Sequence, residues 1–313
     1  MAQGWRAILF LLIFTPFFAE SIASTSTPWY LFLSPVILLL MSLLYGVSAL
    51  VIRELWVRQK LGFGCFVLYG AIFASLNEGI VANTWFKERT LDFTNAELVR
   101  FGGVNWHLVV NHTIFHTLFS MLIPILLSFI IFPKLHRVTL LSTKWLSICC
   151  ALLLFIIVAN LAPKDHIMVA NFGHRLGLSI LLLTGAVLGS VISYTKGHSS
   201  TTRSYTSRAL LFMGIGFSTI FIVSYFVTPN LLPGWSLVFS LALLILGMFG
   251  AFRIKNYISY DLPRVIPLIA GLMLPSFVLS FTKLNILQPV VIALFLVYLM
   301  WLNRKFEIVG PVG

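Results

Sequence analysis

The sequence predicts an all-α, polytopic transmembrane helical bundle of about ten spans, with both termini on the inner side (N-in/C-in). Three observations predict it: an extreme apolar composition, ten apolar runs of spanning length, and basic residues that alternate between the connections. Apolar residues make up 59% of the 313 and charged residues only 10%, with a mean hydropathy of +0.99. Soluble domains carry roughly a quarter charged residues, and a chain this apolar cannot cover a water-facing surface with polar groups.

A span needs about 20 mostly apolar residues. Runs of that kind lie near 5–23, 30–52, 62–85, 104–132, 143–162, 176–194, 209–228, 235–252, 265–282 and 286–302. No polar stretch between them is long enough to fold alone. Residues 1–313 therefore read as a single integral membrane domain, with a polar half over about 1–142 and an apolar half over about 143–313.

Orientation follows from the lysines and arginines. With the N-terminus inside, the inner segments hold 15 of the 21. The outer segments hold Lys87, Arg89, Arg100, Lys164, Arg175 and Lys283. The first run reads in a second way as well. Arg6, the apolar stretch to Ala19 and then Glu20-Ser21-Ile22-Ala23 form a signal-like sequence with small residues at a cut after Ala23. The rest of the topology is the same under both readings.

The net charge of +12 does not indicate nucleic acid, because the basic residues are scattered between apolar runs rather than clustered. Cys65, Cys149 and Cys150 lie inside apolar segments without metal-ligand or redox spacing. No cofactor is implied. The partners expected are the lipid bilayer and a small molecule or ion.

Ionisable residues inside spans are costly, which makes them candidates for function. Glu78, preceded by Asn77, lies about eight residues before the outer end of the third run, about 12 Å deep at the helical rise. The fourth run enters from the same side with Asn105, His107, Asn111, His112 and His116. His112 falls at about the same depth, and consecutive spans are usually neighbours. Asn105, His112 and His116 share one stripe of the helix, while His107 and Asn111 project elsewhere.

Glu78, His112 and His116 are thus the candidate reactive groups, with Asn77, Asn105, His107, Asn111 and Glu20 as candidate substrate contacts. The i, i+4 spacing of His112 and His116, with Glu78, is also a weak metal-ligand pattern. Hydrogen bonds that merely hold two helices together would produce the same residues. His166 and His174, with Asp165, are expected in an outer loop with Arg175. Glu54 is expected to pair locally with Arg53 and Arg58, and Thr94 to Arg100 reads as a capped surface helix.

Several landmarks recur together: Tyr45-Gly46 before Arg53-Glu54, Tyr69-Gly70 before Glu78-Gly79, then Asn105-Trp106, Phe115-His116 and Pro124. The set resembles an uncharacterised group of bacterial multi-pass membrane proteins over roughly residues 20–135. That resemblance implies the bacterial cytoplasmic (inner) membrane and brings no activity with it. The intramembrane CAAX-type proteases pair glutamates with histidines too. Here, however, Asn77 stands where their first glutamate would, and Leu108 where their Phe would precede His112.

Three functions stay open: a transporter or permease with a Glu/His/Asn site opening outward, a membrane-embedded hydrolase acting on lipid or an extracytoplasmic substrate, and a partner subunit of a membrane complex. The number of spans favours transport. The bare second half speaks against it, since duplicated carriers build their sites from both halves.

Overall fold

Helix dominates the computed structural model, which describes residues 2–23, 29–59, 63–87, 100–161, 172–192, 206–260, 262–281 and 287–309. Ten helical rods run through the described residues. They are α1 (Ala2–Phe17, continuing through Phe18–Ala23), α2 (Pro35–Met41, Ser42–Gly46 and Val47–Gln59), α3 (Phe63–Ala74 and Ser75–Val81) and α4 (Trp106–Phe115, His116–Leu122 and Ile123–Ile131). The others are α5 (Thr143–Leu161), α6 (Phe172–Ile192), α7 (Ser207–Ile222, Val223–Val227 and Thr228–Leu231), α8 (Ser236–Tyr260), α9 (Ile266–Ser280) and α10 (Leu287–Val309). Seven helices among the described residues are long and apolar enough to cross a membrane, and two further apolar helices, Cys65–Val81 and Ser236–Gly250, are shorter.

The rods are not equally buried. The spanning window of α4 is 83% buried and that of α5 is 0% buried, so α4 is central and α5 peripheral. Glycines set how closely some rods approach. A methyl group on Gly46 would stand 2.6 Å from the Leu12 main chain, and one on Gly70 would stand 2.8 Å from the Thr117 main chain. These are the two Tyr-Gly landmarks, and each admits a neighbouring backbone, α1 against α2 and α4 against α3. In the second half, Gly214 and Gly271 cross reciprocally and let α7 and α9 meet backbone to backbone.

Five rods contain a π-helical stretch: Phe18–Ala23 in α1, Ser42–Gly46 in α2, Ser75–Val81 in α3, His116–Leu122 in α4 and Val223–Val227 in α7. Such stretches are rare and concentrate at functional sites. Each inserted residue turns the face that follows by about 100°. Prolines accompany two of them. Pro124 and Pro229 lack the N–H that would bond the carbonyls of Ser120 and Tyr225 four residues earlier in a regular α-helix.

Between α3 and α4 lies a two-stranded hairpin that the sequence did not suggest, β1 (Arg100–Phe101) with β2 (Val104–Asn105). Its two-residue turn is Gly102-Gly103, with φ of 60° and 77°. A type I′ turn requires positive φ at both positions, which glycine supplies without strain. Asn105 ends the hairpin and caps α4, accepting from the Leu108 N–H at 3.1 Å. The hairpin docks on the turn after α3, because the Asn105 N–H donates to the Trp85 carbonyl at 2.9 Å.

Candidate functional site

The π-helical stretches of five rods converge on one polar network. Glu78 is its centre. The His116 Nε2 lies 2.9 Å from Glu78 Oε1 and the His112 Nδ1 lies 3.4 Å from Glu78 Oε2. Asn77 donates to Glu78 Oε1 at 3.1 Å and to the Tyr45 hydroxyl at 2.8 Å. Tyr45 in turn donates to Glu20. The Thr84 hydroxyl donates to Glu78 Oε2, brought there by the turn in which the Thr84 N–H bonds the Glu78 carbonyl at 2.9 Å. Asn83, with φ of 58°, makes that reversal; asparagine tolerates the left-handed region better than most residues.

The far sides of the imidazoles are also engaged. His116 Nδ1 pairs with the Ser120 hydroxyl at 2.8 Å, and His112 Nε2 with the Tyr225 hydroxyl at 2.8 Å. The Trp85 indole N–H donates to His112 Nδ1 at 3.2 Å. No lysine or arginine among the described residues is ion-paired with Glu78. The carboxylate charge is therefore met by neutral donors and by two imidazoles that carry charge only when protonated.

Of the residues singled out in the sequence, Glu78, His112, His116, Asn77 and Glu20 meet in this network. Asn105 does not, since its side chain caps α4. His107 and Asn111 form a second buried cluster on another face of α4. Asn111 donates to the Ser240 hydroxyl at 2.6 Å and to the His107 carbonyl at 2.9 Å, and Ser240 lies 3.1 Å from both His107 Nδ1 and the Ser224 hydroxyl. The His107 imidazole also bonds the main chain of Ser236 and Tyr225. Tyr225 joins the clusters, with its ring stacked 6.3 Å from His107 and its hydroxyl on His112.

Two expectations are corrected. The second half is not bare, because α7 and α8 supply Tyr225, Ser224 and Ser240. Arg175 is not a solvated loop residue. The helix α6 begins at Phe172, and the guanidinium is fully buried and donates to the carbonyls of Ile80 at 2.9 Å and Asn160. It bonds carbonyls in the last turns of α3 and α5, where helices turn carbonyls toward outside partners. His174 is exposed near the Phe86 ring. Asp165, His166 and residues 94–99 of the expected surface helix lie outside the described residues.

Tyr45, Thr84, Trp85, Ser120 and Tyr225 were missed. Hydroxyls and indoles are cheap enough in a span to raise no alarm, although Tyr45-Gly46 and the prolines four residues after Ser120 and Tyr225 were visible signals. The metal pattern does not assemble either. His112 and His116 bracket the two carboxylate oxygens instead of facing one point, and no group of three or more His, Cys, Asp or Glu among the described residues is placed to hold a metal ion.

Toward its C-terminal end, α2 carries a different acidic site. Glu54 is fully buried, 2.6 Å from Arg53 and 3.3 Å from Arg58, and accepts from the Leu140 N–H at 2.8 Å. Arg53 also donates to the Leu135 carbonyl at 2.5 Å and lies 5.4 Å over the Phe129 ring.

Apolar rods of this length, enclosing buried polar groups, define an integral, multi-pass helical membrane protein. The chain belongs to an uncharacterized membrane protein family, whose model matches residues 9–308. The match extends well past the 20–135 stretch that carries the landmark residues, and it includes α7 and α8 with their contributions to the network. No curated protein and no solved structure matches the chain.

Proposed function

We propose that this protein is a ten-span, N-in/C-in permease of the bacterial cytoplasmic membrane that moves a proton or small solute through a site centred on Glu78. The observation that carries this reading is the site's construction. A membrane-embedded carboxylate with two imidazoles and, among the described residues, no permanent counter-cation sits where the π-helical stretches of α1, α2, α3, α4 and α7 meet. Intramembrane Glu/His chains of this kind serve as proton relays, and broken or irregular helices from both halves build carrier sites. The part-exposed Glu78 faces the outer half of the membrane on this topology.

Exposed aromatics support the span ends independently of charge, though not their orientation. Trp5, Trp145 and Trp301 lie at the rod ends assigned inside, and Tyr30, Trp106 and Trp235 at those assigned outside. Such rings favour membrane–water interfaces.

Proton flux into proteoliposomes holding the wild-type chain or the Glu78→Gln variant tests the reading. Glu78-dependent flux supports it; unchanged flux in the variant rejects Glu78 as the proton-carrying group. One observation favours a second reading, an embedded hydrolase: Glu78 and His116 stand at the 2.9 Å expected of a general base and its partner. Hydrolysis of a lipid or peptide substrate, lost in Glu78→Gln and without any flux, would establish it instead.

A further inference from the structure

We propose that His116 is the group that exchanges a proton with Glu78, and that His112 is a positioning residue held neutral by Trp85. The inference rests on the permease reading and gives the two imidazoles of that site different roles.

The rings differ in what their other partners can do. His116 Nδ1 faces the Ser120 hydroxyl at 2.8 Å, and a hydroxyl both donates and accepts. Ser120 therefore satisfies Nδ1 with or without a proton. On the opposite side, His116 Nε2 lies 2.9 Å from Glu78 Oε1. Asn77 Nδ2 stands 3.1 Å from that oxygen and 3.2 Å from that nitrogen. One of its N–H groups bonds Tyr45, and the other meets whichever of the two atoms the proton has left. A proton thus passes from Nε2 to Oε1 without a change of partners. The imidazolium becomes imidazole, the carboxylate becomes a carboxylic acid, and the Nδ1–H stays on the Ser120 oxygen.

His112 has no such freedom. An indole N–H only donates, and Trp85 gives it to His112 Nδ1 at 3.2 Å. That nitrogen holds the lone pair, and the ring proton lies on Nε2, toward the Tyr225 hydroxyl at 2.8 Å. A second proton, on Nδ1, would break the Trp85 bond and set two N–H groups against each other. Glu78 Oε2 does not compete for that nitrogen: it lies 3.4 Å away, past the usual N–H···O reach of about 3.2 Å, and accepts from Thr84 instead.

Exposure orders the pair. The Glu78 side chain is 13% exposed and that of His116 3%, so Glu78 meets solvent first. The other titratable or charged groups around the two rings are His107 on α4, Tyr225 of α7 beside His112, and Tyr45 of α2 beside His116, with Glu20 of α1 reached through Tyr45. Arg175 of α6 is turned to the Ile80 and Asn160 carbonyls.

The test is nitrogen NMR of the histidine side chains in the purified, isotope-labelled full-length chain in detergent, with His112→Gln and His116→Gln assigning the signals. As the pH falls from about 8 to about 5, the His116 signals are expected to change to the doubly protonated pattern while those of His112 keep the neutral Nε2–H pattern. Trp85→Phe, which removes the indole N–H, lets His112 take up a proton in the same range. In proteoliposomes, His116→Gln lowers Glu78-dependent proton flux by about tenfold or more. Double protonation of wild-type His112 overturns the proposal, as does a His116 that stays neutral throughout or a Trp85→Phe variant whose His112 is unchanged. With Glu78-dependent flux intact, those outcomes leave the permease reading standing. The expected NMR pattern without any Glu78-dependent flux supports the division between the rings and removes the permease reading. If Trp85→Phe fails to fold, the wild-type spectra decide alone.

Discussion

Glu54 and Glu78 begin from similar sequence: each follows a Tyr-Gly pair by the same interval, one preceded by Arg53 and the other by Asn77. Their surroundings then diverge. Glu54 has no exposed surface, holds two arginines and takes an N–H from the α4–α5 connection. His136 in that connection adds no charge at neutral pH. Its burial, with the Arg137 and Arg53 cations beside it, holds the imidazole below its ordinary titration range. Glu78 is part-exposed and, among the described residues, keeps company with neutral donors and titratable rings. A carboxylate matched by guanidinium groups is fixed in charge and acts as a clamp. One matched by imidazoles gains or loses a proton as its surroundings change. The difference teaches that burial alone does not describe a carboxylate in a membrane; the kind of partner sets the two apart.

The largest effect on stability is expected at the clamp. Glu54→Ala leaves Arg53 buried without its main counter-charge, a loss of about 3–5 kcal/mol for a broken buried pair. The fall in melting temperature of the purified protein in detergent measures it. A loss this large at Glu78 and not at Glu54 would reverse the comparison. Next comes Gly70→Ala, whose new methyl would sit against the Thr117 backbone and drive α3 from α4, at about 1–3 kcal/mol. The same melting assay, together with weaker Glu78-dependent flux, reports it.

Glu78→Gln is expected to cost less than about 1.5 kcal/mol of stability, since the amide keeps an acceptor for Asn77 or Thr84. Its flux falls at least tenfold all the same, and that dissociation of stability from activity is what separates Glu78 from Glu54. The smallest effect belongs to Trp85→Phe. It removes one N–H donor worth about 0.5–1.5 kcal/mol and frees the His112 Nδ1 lone pair for a proton. The pH midpoint of flux should therefore move upward, and an unchanged midpoint would show that Trp85 does not govern protonation of His112.

Much of the site was legible because it rests on local geometry. Consecutive helices, the helical rise and the 100° turn per residue suffice to bring Glu78 near the level of His112, to put His116 on the same stripe, and to turn His107 and Asn111 away. Glu20 and Asn77 were legible for simpler reasons: Glu20 is a carboxylate at the end of a span, and Asn77 is a polar neighbour of Glu78. Tyr225 was not legible, because it reaches His112 from 113 residues away. Arg175 was misplaced because its partners are carbonyls, which leave no trace in residue type.

The sequence by itself determined the class of the molecule, the position of its rods and the landmarks of its family. These follow from the length of apolar runs, a local property that hydrocarbon thickness dictates. Tertiary structure alone decided which carboxylate is clamped by arginines and which meets imidazoles, and that the second half contributes to the candidate site. It also decided where the π-helical turns fall. Those outcomes depend on contacts such as Leu140 with Glu54, 86 residues apart. Only packing against the neighbouring rods sets them, because each buried polar group must find its partner wherever the fold brings one.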